Sequence, residues 1–252
     1  MSAPVVLAIS GSLRSPSFTE KMLDTCIAGM GEVQVRKFHP HKLHVQPCVS
    51  CYRCWKKDGG TCVHQDDFGA ILDAYKEADY FLWAAPVYFF GFPATVKNVM
   101  DRFFVCVQPN QTLGADGHTH HPIRFDRHPK AVLISSCGFP ELDNFDLVRL
   151  HFRTVAAHMG WAHAGELLVP QAGASNAPRL FDGKLERIRR AGEELATAGK
   201  ISDETAAAVA APVMSDQDYR DMATAALTGG FLGKAKAIAI VAKAIGAQAK
   251  ED

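Results

Sequence analysis

The chain carries no excess of charge of either sign: 27 Lys+Arg stand against 27 Asp+Glu, and no long basic run occurs. That excludes the electrostatic footprint of a nucleic-acid binder and a polybasic patch for anionic membranes. No apolar run is long enough to span a bilayer, and MSAPVVLAIS at the N-terminus has no charged segment ahead of an apolar core and cleavage site. Neither a membrane partner nor a leader is expected. Two nucleotide motifs are missing as well. Without G-x-x-x-x-G-K-[ST] there is no triphosphate loop, and without G-x-G-x-x-G there is no dinucleotide fingerprint. The cytoplasm is the expected compartment, where clustered thiols bind metal or do chemistry, and an odd total of seven cysteines also argues against a disulfide framework.

What is present is an alternation. With 48% hydrophobic and 21% charged residues, the 252 residues suffice for one large domain with an appendage. Short apolar runs at Val5–Ser10, about Val33–Phe38, Tyr80–Ala85, Ala131–Ser135 and about Ala164–Val169 predict buried parallel strands. Helical patterns lie between them: to about Ala28, from a cap at Asp66-Asp67 to about Ala78, Ala94 to about Val107, about Asn144 to Met159, and roughly Arg179–Ala198. The expected fold is therefore α/β, a flavodoxin-like doubly wound sheet of five strands in the order 2-1-3-4-5. Residues 1–199 form that domain. Residues 200–252 turn alanine-rich and form a helical extension (Asp203–Ala211, Ser215–Leu227, Gly230–Ala249), with Asp203 and Ser215 as caps. Residues 108–128 are irregular, and His118, His120, His121 and His128 there read as a solvated loop.

Three strand-end loops stand out. After the first strand comes Gly11-Ser12-Leu13-Arg14-Ser15-Pro16-Ser17-Phe18-Thr19. Its hydroxyls at Ser12, Ser17 and Thr19 suit phosphate oxygens, Arg14 supplies charge, and the helix start adds about 0.3–1 kcal/mol. Lacking the glycines a pyrophosphate needs, it suits a compact phosphomonoester. After the third strand, Pro86-Val87-Tyr88-Phe89-Phe90-Gly91 offers apolar faces where a ligand crevice opens. After the fourth comes Ser136-Cys137-Gly138-Phe139. In a 2-1-3-4-5 sheet these three loops converge, and together they describe a site for FMN.

The remaining signal is Cys48, Cys51, Cys54 and Cys62, spaced C-x2-C-x2-C-x7-C, with Asp58-Gly59-Gly60 turning the last towards the first three. Compact thiolates suit an iron–sulfur cluster better than zinc, whose sites more often pair separated knuckles; zinc and metal-free thiols remain open. Cys26 and Cys106 fall on helical patterns and read as packing residues.

The Gly11–Thr19 and Pro86–Gly91 stretches and Lys97-x3-Asp101-Arg102 resemble the NAD(P)H-dependent FMN reductase branch of the flavodoxin-like superfamily, over about Pro4–Ala198. The cysteine run followed by Asp66-Asp67 is similar to the iron–sulfur flavoproteins of that branch. The resemblance implies that Ser10, Ser12, Arg14, Ser17, Phe18 and Thr19 hold the phosphate side. It sets Pro86, Val87, Tyr88, Phe89, Phe90, Gly91, Ser136, Cys137, Gly138 and Phe139 around the ring. Cys48, Cys51, Cys54 and Cys62 would hold a [4Fe–4S] cluster. Lys97, Asp101 and Arg102 are helix or interface residues, and no catalytic acid or base is expected. The implied activity passes electrons from NAD(P)H through FMN to a small acceptor (quinone, flavin, nitro or azo compound). The alternatives are an iron–sulfur electron carrier with a ferredoxin-like donor and a zinc-stapled interaction module. A homodimer or homotetramer is expected.

Overall fold

In the computed structural model of the chain, residues 3–56, 59–114 and 117–249 are described. The core is one parallel sheet of five strands: β1 (Val5–Ser10), β2 (Gln34–Phe38), β3 (Tyr80–Pro86), β4 (Lys130–Ser136) and β5 (Ala162–Val169), in the order β2-β1-β3-β4-β5. Every neighbouring pair is parallel, with Ser10 level with Ala84 and Pro86 level with Ser136. The expected order is therefore the observed one.

The continuous apolar runs follow from burial on both faces. Val6 and Ala8 of β1 enter the core shared with α1 (Phe18–Gly29) and α5 (Asp182–Ala198). Leu7 and Ile9 enter the core under α2 (Phe68–Glu77), α3 (Ala94–Arg102) and α4 (Asp146–His158). Strand residues alternate faces, so a strand between two helical layers needs apolar side chains at every position. The second core is the more aromatic, with Phe81, Trp83, Phe103 and Trp161 in mutual ring contact. Each such side chain fully buried contributes about 1.5–3 kcal/mol.

Several boundaries differ from expectation for local reasons. The third helix stops at Arg102 and tightens into a 3-10 turn over Phe103–Cys106, where the side chain of Arg124 takes the Val105 carbonyl and its amide takes that of Cys106. Ser202, not Asp203, caps α6 (Asp203–Ala210), accepting from the Thr205 amide. Asp67 makes no cap bond on α2; Asp66 instead accepts from the Phe68 amide while also serving the cysteine loop. Within the irregular segment a two-residue ribbon pairs Thr112–Leu113 with Thr119–His120.

The extension folds back onto the same molecule. Its helices α6, α7 (Asp216–Thr228) and α8 (Gly230–Gln248) add Val209, Tyr219, Met222, Ala237 and Ala244 to the core that α1 and α5 share. No helix among the described residues is long and apolar enough to cross a membrane.

Candidate functional site: a crevice at the sheet edge and a four-cysteine loop

The carboxyl ends of β1, β3 and β4 bring the three loops together. Gly11 donates its N–H to the Ala84 carbonyl at 2.6 Å, and Val87 donates to Ser136 at 2.8 Å. Gly11 must be glycine, because a Cβ there would lie 2.4 Å from Val96 of α3. The buried hydroxyls of Thr19 and Ser136 hydrogen-bond at 2.7 Å, tying the start of α1 to the end of β4. Ser135 donates to the Ala85 carbonyl at 2.8 Å, so the crevice floor is hydrogen-bonded strand to strand.

In the first loop Ser10 and Ser12 are buried and Arg14 is exposed. Ser12 Oγ accepts from the Arg14 amide at 3.2 Å, and Ser17 caps α1, accepting from Glu20 at 3.1 Å. Phe18 packs edge-on against Phe181, with ring centroids 4.8 Å apart, so its offer to an anion is its backbone N–H. Ser15, Ser17 and Phe18 face a cavity of about 690 Å³ shared with Ser175 and Asn176. These two partners were not read from the sequence; their signal is the small polar run after the fifth strand.

The second and third loops share a different cavity, about 350 Å³, lined by Val87, Phe89, Phe90, Cys137, Gly138, Phe139 and Asn144. Its size suits a small organic ligand. Tyr88 and Gly91 close a two-residue turn whose central residues, Phe89 and Phe90, have φ of 45° and 65°. Such turns favour Asn-Gly, and left-handed backbone costs an ordinary residue about 1–2 kcal/mol. Two phenylalanines here, one of them 99% exposed, spend folding energy to present rings at the crevice mouth. A Cβ on Gly138 would meet nothing within 4 Å, so the third loop leaves open space beside its backbone. An apolar slot and a hydroxyl-bearing loop on neighbouring strand ends are the two surfaces that a flat ring with a phosphate tail requires.

The cysteine loop is held differently. Cys48, Cys51, Cys54 and Cys62 all line one small cavity, about 20 Å³, with Tyr52, His64 and Phe104. Asp58 of the expected turn lies outside the described residues. Gly60 donates to the Cys54 carbonyl at 3.0 Å, folding the end of the loop back. Burial, followed by the neighbouring Cys62, pushes the Cys54 thiol up. All seven thiols are free; burial raises Cys26 to about 12 and also raises Cys106, as befits packing residues.

The loop's seat is an ion pair that the sequence did not reveal. Arg102 donates to Asp66 at 2.6 and 3.1 Å and to the Gln46 carbonyl at 2.8 Å. Their side chains are 1% and 2% exposed. Asp66 also accepts from the Gln46 amide, and Asp67 accepts from the His44 amide. Burial would raise the Asp66 pKa, but Arg102 and these amides outweigh it and hold the carboxyl low. Lys97 and Asp101 form only an exposed pair one helical turn apart.

The donor chemistry of four thiols on one cavity suits a soft metal group, and Arg102 Nε, Trp55 Nε1 and His64 Nε2 are buried without partners around it. In the present arrangement no three His, Cys, Asp or Glu among the described residues converge at metal-binding spacing. His121 lies against Trp55, centroids 5.0 Å apart, and His120 against His158 at 4.7 Å.

The family model for NADPH-dependent FMN reductases matches residues 4–126. An iron–sulfur flavoprotein of Methanocaldococcus jannaschii is 33% identical over 99 residues, 38% of this chain and 50% of the other. One of Methanosarcina thermophila is 31% identical over 113 residues, 43% and 56%. The match thus spans about half the length of these relatives. Among solved structures, an FMN-dependent NADH-azoreductase from Bacillus anthracis in complex with FMN superimposes with TM-score 0.58 at 12% identity, covering 78% of this chain and 100% of that one. An NAD(P)H:quinone oxidoreductase from Methanothermobacter marburgensis gives TM-score 0.56 at 14% identity, covering 77% and 98%. At such identities the structural likeness is one of fold. Residues 4–126 of the chain are thus similar to the NADPH-dependent FMN reductases, and the whole sheet has the flavodoxin-like fold.

Proposed function

We propose that the protein is an FMN-dependent oxidoreductase, with NAD(P)H as donor and a small organic molecule (quinone, flavin, nitro or azo compound) as acceptor. The observation that carries this is the convergence of three chemically distinct loops at one sheet edge, pinned by the Thr19–Ser136 hydrogen bond. Held by these loops, FMN would supply hydride acceptance from a reduced nicotinamide and onward electron transfer.

The chain's own residues bind and orient. Ser10, Ser12 and Ser17 furnish hydroxyls for the phosphate, Thr19 fixes the loop through Ser136, the first N–H groups of α1 add donors, and Arg14 adds charge from the rim. Pro86 to Gly91 and Ser136 to Phe139 enclose the ring and exclude water from one face. No side chain is required as acid or base. Donor and acceptor would occupy the same open face in turn, which predicts ping-pong kinetics. Parallel double-reciprocal plots in an NAD(P)H and quinone assay are the expected result; intersecting lines would contradict alternation in one crevice.

A second reading shares the fold: an iron–sulfur electron carrier with a [4Fe–4S] cluster on Cys48, Cys51, Cys54 and Cys62. Four thiols on one cavity beside the unpartnered ring nitrogen of His64 favour it. Residues 1–199 form the flavin unit in this proposal, and residues 200–252 its appendage. The exposed Phe89, Phe90 and Phe139 suit coverage by a second copy of the chain, as a dimer working in the cytoplasm.

A further inference from the structure

The extension reaches the crevice. In the Ser136–Phe139 loop three successive carbonyls are each held: Cys137 by the Ala172 amide at 2.8 Å, Phe139 by the Gln171 amide at 3.0 Å, and Gly138 by the Tyr219 hydroxyl of α7. The first two bonds come from the loop after β5 and the third from residue 219, far outside the family match. Tyr219 is buried at 3% exposure, and its phenol oxygen lies against Gly173 of the loop after β5, so it touches both loops. Gly173 permits this approach; a Cβ there would lie 2.4 Å from the phenol oxygen. Fully buried Gln171 completes the fastening. Its side-chain oxygen accepts from Val213 at 2.9 Å and Met214 at 3.2 Å, and its amide donates to the Met214 carbonyl at 2.9 Å. Arg220 and Glu141 pair at the rim, 3.3 Å apart.

An appendage that merely covered apolar surface would need no such bonds to a crevice loop. We infer that Tyr219 of the C-terminal extension is a positioning residue for the flavin crevice: it turns the Gly138 carbonyl inward and leaves that backbone's open side to the ring. The inference rests on the flavin reading for its ligand but on hydrogen bonds for its geometry. It makes the extension part of the site, although Tyr219 touches no reacting atom.

The test compares wild type, Tyr219→Phe and Val209→Ala, the last truncating a fully buried side chain of α6 away from the loop. Each is titrated with FMN, melted, and followed by amide hydrogen exchange over residues 137–140. Tyr219→Phe is expected to weaken FMN binding about tenfold, as loss of one buried hydrogen bond would. Val209→Ala should lower the melting temperature at least as much and leave FMN affinity within about twofold. Wild-type affinity in Tyr219→Phe, or equal weakening in both variants, overturns the inference. If wild type itself takes up no FMN, the flavin reading falls and exchange decides: selective acceleration in Tyr219→Phe upholds the lock, and identical exchange in both variants refutes it.

Discussion

The crevice and the cysteine loop lie on one sheet but are built in opposite ways. The crevice is made of strand ends, and its polar groups are spent on one another: Gly11 on Ala84, Val87 on Ser136, Thr19 on Ser136. Among its described residues the cysteine loop has little regular structure beyond a 3-10 turn over Arg53–Trp55, and it is held from outside by Arg102 and Asp66. Three polar atoms around it are buried without partners. A region whose hydrogen bonds close on themselves is shaped before its ligand arrives. One with orphaned donors and a small thiol cavity takes its final shape from what it binds.

Variants that strike one region and spare the other break or sharpen this contrast. The largest effect is all-or-none: on the cluster reading, Cys51→Ser should abolish the iron and sulfide of anaerobically purified protein while FMN content stays unchanged. Loss of both together would mean that the regions are not independent. Arg102→Met leaves Asp66 buried without its cation and is expected to cost about 3–5 kcal/mol in urea unfolding. Adding Asp66→Asn should restore part of that loss, whereas a further drop would show that the pair is not the seat. Phe90→Gly removes a side chain from left-handed backbone and should raise unfolding stability by about 1 kcal/mol while weakening FMN binding. Unchanged binding would deny Phe90 a place at the ring. A further effect lies outside both regions. Burial alone would raise the pKa of Glu166, but hydrogen bonds from His163, Arg153 and Arg149 outweigh it and bring it to about 2. Its stabilisation is complete above the ordinary carboxyl pKa and is lost as pH falls towards about 2. Wild type should therefore lose melting temperature between about pH 4.5 and 2 more steeply than Glu166→Gln; parallel profiles would show that Glu166 is not linked.

The sheet was legible because doubly buried strands leave continuous apolar runs; Val5–Ser10 reads as a strand from its residues alone. The three loops were legible because strand order places them together. What stayed hidden depends on long-range pairing. Arg102 looked like one more helix cation, and only the fold carries it to Asp66, 36 positions away. Tyr219 sits in an alanine-rich stretch with no chemical signature, and 81 residues separate it from Gly138. Gln171, at φ 59°, was one residue of a loop until the fold turned its side chain onto Val213 and Met214. The cysteine spacing advertised a ligand set but not the two-sided seat beneath it.

The central claim is that the three turns grip riboflavin monophosphate, and uptake of that compound tests it most directly. Adding FMN stepwise to flavin-free protein should leave its fluorescence quenched up to one equivalent and rising only beyond it, with a shifted visible spectrum. Fluorescence rising linearly from the first addition, with an unshifted spectrum, would contradict the account.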